Sequence, residues 1–209
     1  RYGVDLFQSY IGEILSRRGI PFEWFRSTAE AVESNPDILI VALSADEPES
    51  NELLWNYAER GGRLVAYGGL DGLAARIGFV LGERLGAGYA IPVRDYVECG
   101  LDRPWRFLHG SLWIRKSPEG PAVRTYGAVR QHSPADEAAG PLLIRARAGQ
   151  GMIERWSVDI PRTVVTFQQG SGPVVTDGIP APDGTADVRD GVLKADDVYD
   201  MDWDYDRIR

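Results

Sequence analysis

Two apolar patterns alternate along the first part of the chain. Leu6, Tyr10, Ile14 and Leu15 recur at helical spacing, with Gln8, Glu13 and Arg17 set apart from them, which predicts a helix over Asp5–Arg18. Gly19 is its expected stop, and Pro21 follows shortly. Phe22–Phe25 reads as a short strand and Thr28–Glu33 as a brief helix. Asp37–Leu43 (DILIVAL) is a continuous apolar run, the pattern of a parallel strand covered on both faces. Ser50–Arg60 returns to helical spacing through Leu53, Leu54 and Tyr57, and Gly61-Gly62 should end it. Arg63–Tyr67 (RLVAY) reads as a second buried strand, and Leu70–Ile77 as a short helix ending at Gly78. Helices alternating with apolar strands predict an α/β fold: a parallel sheet flanked by helices, with right-handed crossovers.

After Gly88 helical periodicity fades. Short β-like pieces take over at Phe107–Arg115, Ala122–Val129, Leu142–Ala146 and Met152–Val158, punctuated by Gly and Pro. They predict an antiparallel β extension of the α/β unit. A short helix is expected from Pro161, since proline suits a first helical turn. From Ser171 onward Gly, Pro and Asp dominate, which suits an irregular acidic tail or a linker to a further module. The expected division is therefore an α/β domain over residues 1–170 and a tail over residues 171–209. The lack of an initial Met and the patterned segment at Arg209 suggest a fragment of a longer polypeptide.

Composition narrows the function classes. The chain has 209 residues, 44% of them hydrophobic, with 31 acidic against 23 basic residues and a formal charge of −8. An acidic balance disfavours a nucleic-acid partner, which would need clustered Lys and Arg. No apolar run approaches the ~20 residues that span a bilayer. The single cysteine, Cys99, excludes an intrachain disulfide and a cysteine-based zinc cage.

The most informative stretch is GGRLVAYGGLDGLAARIG. A buried strand ends in Gly68-Gly69-Leu70-Asp71-Gly72, and a helix is expected to follow. Strand-to-helix turns of the form G-x-nucleophile-x-G expose a reactive side chain in several α/β enzymes. Glycines permit the sharp turn, and backbone amides at the following helix can stabilise an oxyanion.

The order DILIVAL, the Leu53–Tyr57 helix, then GGRLVAYGG resembles the middle of the class I glutamine amidotransferase fold, a flavodoxin-like arrangement. It is closer still to non-catalytic relatives: the trimerisation domain of certain β-galactosidases and the ThuA-like proteins. Catalytic members hold a Cys in the middle of the turn, where this chain has Leu70. They also carry a late His after a strand. The similar segment here, Gly151–Arg162, has Asp159 and Ile160 around that position. Leucine can neither attack a carbonyl nor carry a covalent intermediate. The resemblance implies no catalytic residue. It leaves Gly68, Gly69, Leu70, Asp71 and Gly72 as a degenerate elbow that could bind a ligand beyond the strand ends, although capping of the helix is the favoured role for Asp71. It also implies an accessory domain of a larger, carbohydrate-related protein, with other modules of the parent chain, a further copy of itself or a carbohydrate as partners. One departure stands out. The family opens with a strand before its first helix, and Arg1–Val4 is almost too short to be one.

Other residues offer further chemistry. Cys99 with His109 or His132 lacks an elbow, and reactive thiols need an electropositive, accessible setting. Asp95, Glu98 and Asp102 offer carboxylates for a hydrolase, without a spacing that singles them out. Trp105, Trp113, Tyr126 and Trp156 suit a β core better than a sugar surface. The run Tyr199–Asp206 alternates strictly, placing Asp200, Asp202, Asp204 and Asp206 on one face of a strand. Clustered carboxylates invite calcium. The run lacks the glycine turn of an EF-hand loop, and an amphipathic strand with a packed aromatic face is the favoured reading. No other cofactor is expected.

Overall fold

In the computed structural model, the described residues are 11–12, 14–42, 47–92, 103–108, 110, 113–116, 123–161 and 163–164. Residues 11–12 and 14–17 are helical, and Gly19 ends that segment with a φ of 68°. Then come α1 (Thr28–Glu33), β1 (Ile38–Ala42), α2 (Pro48–Glu59) and β2 (Arg63–Tyr67). A single 3-10 turn (Asp71–Leu73) leads into α3 (Ala74–Ile77). Eight further strands follow: β3 (Phe79–Leu81), β4 (Gly88–Ile91), β5 (Trp105–Phe107), β6 (Trp113–Lys116), β7 (Val123–Tyr126), β8 (Ala128–Arg130), β9 (Leu143–Ala148) and β10 (Gly151–Trp156).

Local chemistry explains the helix boundaries. The Ser27 hydroxyl accepts from the Glu30 amide, while the Glu30 carboxylate accepts from the Arg26 amide, so α1 starts on two reciprocal caps. Pro48 opens α2, where its missing N–H costs no helical bond. The Tyr57 hydroxyl donates to the Pro36 carbonyl at 2.7 Å and ties the end of α2 to the entry of β1.

The main sheet has the order β1-β2-β10-β9-β7. β1, β2 and β10 run parallel, and β9 and β7 continue the sheet in antiparallel fashion. The fold is thus α/β with a mixed sheet, and the expected antiparallel extension is built into that sheet through β7, β9 and β10. The hairpin between β9 and β10 turns against the end of α2. A side chain on Gly151 would meet the Ala58 and Gly62 carbonyls, so glycine is required there. Two smaller antiparallel sheets, β3-β6 and β5-β4-β8, complete the described strands.

The principal core lies between the sheet and α1, α2 and α3. Leu54, Tyr57, Ala58, Leu73 and Ile77 pack against Leu64, Ala66, Ile144, Ala146 and Ile153. A second core gathers Phe107, Val129, Leu142 and Val158 with the half-buried Trp105 and Trp156.

Two sequence expectations need correction. Among the described residues β1 lies at an edge of the main sheet, and its face is open at Ile38, which is 54% exposed, so the run is not sealed on both faces at its start. Phe22–Phe25 is not a strand, because it has no ladder partner among the described residues. The helical turn at Pro161 is present, with residues 160, 161, 163 and 164 helical.

Candidate functional site

The elbow forms at the carboxyl end of β2. Three successive residues adopt left-handed backbone: Gly68 at φ 73°, Gly69 at φ 62° and Leu70 at φ 58°, ψ 24°. Glycine enters this region freely, whereas an L-residue with a Cβ pays roughly 1–2 kcal/mol. The Gly68 amide donates to the Trp156 carbonyl, and the Leu73 amide to the Leu70 carbonyl, so the turn is pinned to β10 before and to its own 3-10 turn behind.

Leu70 therefore takes a left-handed backbone in the glycine turn without presenting a side chain for chemistry. Its side chain is 1% exposed and belongs to the principal core. Burial of a leucine contributes about 1.5–3 kcal/mol, enough to offset the left-handed strain.

Beneath the turn lies Arg155, which is fully buried. The register sets it between Ala66 of β2 and Ile144 of β9, on the same face of β10 as Ile153. Its Nε donates to the Gly69 carbonyl at 2.9 Å, and its Nη2 lies 2.9 Å from Oδ1 of Asp71. A buried guanidinium needs such partners, since its desolvation is costly. Asp71 thus ion-pairs with Arg155 from the first residue of the 3-10 turn. Sequence reading missed Arg155. The one available signal was the strict alternation of Met152–Trp156, which puts Arg155 on the side of Ile153.

Beside the elbow, Tyr67 and Trp156 stack with ring centroids 6.2 Å apart. Burial, followed by the nearby Glu154 carboxylate, pushes the Tyr67 phenol above its ordinary value. Glu154 is paired across strands with Arg145, whose guanidinium lies over the Tyr126 ring.

At the late-histidine position, Asp159 is buried and its carbonyl accepts from the Thr163 amide. The Thr163 hydroxyl in turn accepts from the Leu108 amide at 3.1 Å. His132 is exposed, and its backbone amide donates to Asp136. Trp105 and Trp156 are half-buried against the second core, and Tyr126 lies under the Arg145 guanidinium. The side chain of Trp113 and residues Asp95, Glu98, Cys99, Asp102, His109, Asp200, Asp202, Asp204 and Asp206 lie outside the described residues. Among the described residues, no three His, Cys, Asp or Glu side chains gather as a metal ion would require. No described helix is long and apolar enough to cross a membrane.

No protein-family model matches the chain, and no curated protein matches it. Solved structures do. A cytoplasmic protein, STM1381, from Salmonella typhimurium LT2 superposes with a TM-score of 0.51 at 16% identity, over 76% of this chain and 77% of that one. A ThuA-like protein from Bacteroides uniformis gives a TM-score of 0.51 at 10% identity, over 74% of each chain. The fold of this chain is similar to that of these two proteins. A β-galactosidase from Bacillus circulans sp. alkalophilus also matches, with a TM-score of 0.46 and 13% identity, over 64% of this chain and only 22% of the enzyme. In this chain the elbow with Leu70 closes the β2 end of the sheet, and Arg155 locks it from β10.

Proposed function

We propose that this chain is a non-catalytic, amidotransferase-like accessory domain of a larger, carbohydrate-related protein, serving assembly or ligand presentation. One observation carries the non-catalytic part. The position that would hold a nucleophile keeps its left-handed backbone, and its side chain is an aliphatic group sealed in the core. The buried Arg155 supports the same reading, because it engages the Gly69 carbonyl and Asp71 from below and makes the elbow a structural joint. The carbohydrate-related host follows from the resemblance in sequence order alone, and fold likeness by itself does not carry function. Ligand presentation would use the Gly68–Gly72 backbone with the stacked Tyr67 and Trp156 at the strand ends, the usual place for ligands in open α/β sheets.

The purified chain is expected to show no glutaminase or esterase turnover, and Cys99→Ala to change nothing. Turnover that the substitution abolishes would sink the reading and favour a thiol enzyme.

A further inference from the structure

The main sheet has two unlike faces. Toward α1, α2 and α3 its side chains are buried, Leu64, Ala66, Ile144, Ala146 and Ile153 among them. On β2, β9 and β10 the residues that alternate with these are half-buried or exposed, except Leu143. The register lays that second face out in rows. One row runs Ile38, Arg63, Met152 and Arg147 across β1, β2, β10 and β9. The next runs Ile40, Val65, Glu154, Arg145 and Arg124, ending on β7. The Tyr67–Trp156 stack stands in the third. Glu154 is the one carboxylate in these rows, and Arg145 holds it at 2.6 Å. Arg63, Arg124 and Arg147 are exposed and make no ion pair among the described residues. Arg124 lies directly opposite Arg145, a like-charge pairing that costs stability in a sheet. A chain of formal charge −8 thus carries a surplus of positive charge on one sheet face.

We propose that this face docks an acidic peptide segment of a partner protein. Its carboxylates pair with Arg63, Arg147 and Arg124, and its apolar side chains cover Met152, Val65 and Trp156. The proposal rests on the assembly part of the proposed function and gives it a partner chemistry; the elbow takes no part. Charge complementarity selects the occupant, because the planar arginine fork matches a carboxylate and complementary charges fix the register of docking. Spacing selects the pattern. Arg63 and Arg147 stand two strands apart, roughly 9–10 Å at the usual separation of neighbouring strands. A polyproline II segment has three residues per turn and rises about 3.1 Å per residue, so its positions i and i+3 share one side about 9.3 Å apart. Carboxylates at those positions reach both arginines, and the apolar residues between them lie over Met152. A uniform phosphate polymer fits less well. The rows interleave arginine with Val65, Met152 and the aromatic stack, and the net negative charge of the molecule repels a polyanion.

The test pans a random twelve-residue peptide library, displayed on phage, against the immobilised full chain. The selected peptides should carry Asp or Glu three residues apart with apolar residues between them. The most enriched one, synthesised with a fluorescent label, should bind in solution, and its Asn/Gln twin at least about tenfold more weakly. Combining Arg63→Gln, Arg124→Gln and Arg147→Gln should weaken binding about tenfold. Combining Arg26→Gln, Arg84→Gln and Arg103→Gln, exposed arginines outside these rows, should leave it within about twofold. On the unaltered chain, the peptide should reduce acrylamide quenching of the Trp156 emission, assigned by difference from Trp156→Phe. A selection that enriches nothing, or only peptides without acidic residues, overturns the proposal. Equal binding by the two triple variants or unchanged quenching does the same. So does tighter binding of heparin or of a twenty-nucleotide thymidine strand at this face, which would make it a polyanion site. Self-association in sedimentation that the first triple variant abolishes would make it an interface between copies and likewise overturn the proposal. The non-catalytic reading is decided separately, by the glutaminase and esterase assays.

Discussion

Leu70 joins a left-handed backbone to an aliphatic side chain buried in the core. Its left-handed conformation costs energy that only core burial offsets. Leu70→Ala keeps the strained backbone and removes the burial, so a loss of about 2–5 kcal/mol is expected from urea denaturation. A change below 1 kcal/mol would mean that the side chain is not packed as described. Tyr67 gives a pH signature. Its phenol is held above the ordinary value near 10, first by burial and then by Glu154. A raised folded-state value favours the protonated form on folding. The stability it contributes is complete below pH ~10 and is lost as pH rises through the folded value. Tyr67→Phe should flatten the stability curve above pH ~10 and leave its neutral region unchanged in slope.

At the level of elements, the helices and central strands were legible and the peripheral strands were not. Thr28–Glu33 and Arg63–Tyr67 have the predicted bounds because caps, glycines and apolar runs act locally. β3 and β4 went unrecognised. Phe79–Leu81 has three residues, Gly88–Ile91 opens on glycine, and both depend on distant partners in β6, β5 and β8. The elbow was legible from its glycines. The Arg155 lock was not, because its partners lie 86 and 84 positions away in sequence. The β9–β10 hairpin carries the clearest test of packing between elements. Gly151→Ala sets a methyl group against the Ala58 and Gly62 carbonyls, and overpacking of this kind costs about 1–3 kcal/mol. Thermal unfolding of the variant should show a lowered midpoint, and an unchanged one would contradict the close approach of the hairpin to α2.

For the whole molecule, the proposed boundary after Gly170 makes a simple claim. A tail rich in Gly, Pro and Asp has little apolar surface to bury. A chain ending at residue 170 should unfold at the same temperature as the full chain, within about 2 °C, and light scattering should give the same state of association. A drop in mass on truncation would instead favour an oligomerisation module that works through the aromatic face of the tail.

The placement of β10 between β2 and β9 has a consequence for how the chain acquires its structure. β2 is made early, yet its inner neighbour is the last strand described. Until that neighbour arrives, Leu64 and Ala66 belong to a sheet with an open centre. Closing so long a loop must precede any reward from pairing, which slows folding of sheets built from distant segments. The arrival of β10 completes the ladder beside β2 and brings Arg155 to the Gly69 carbonyl and Asp71.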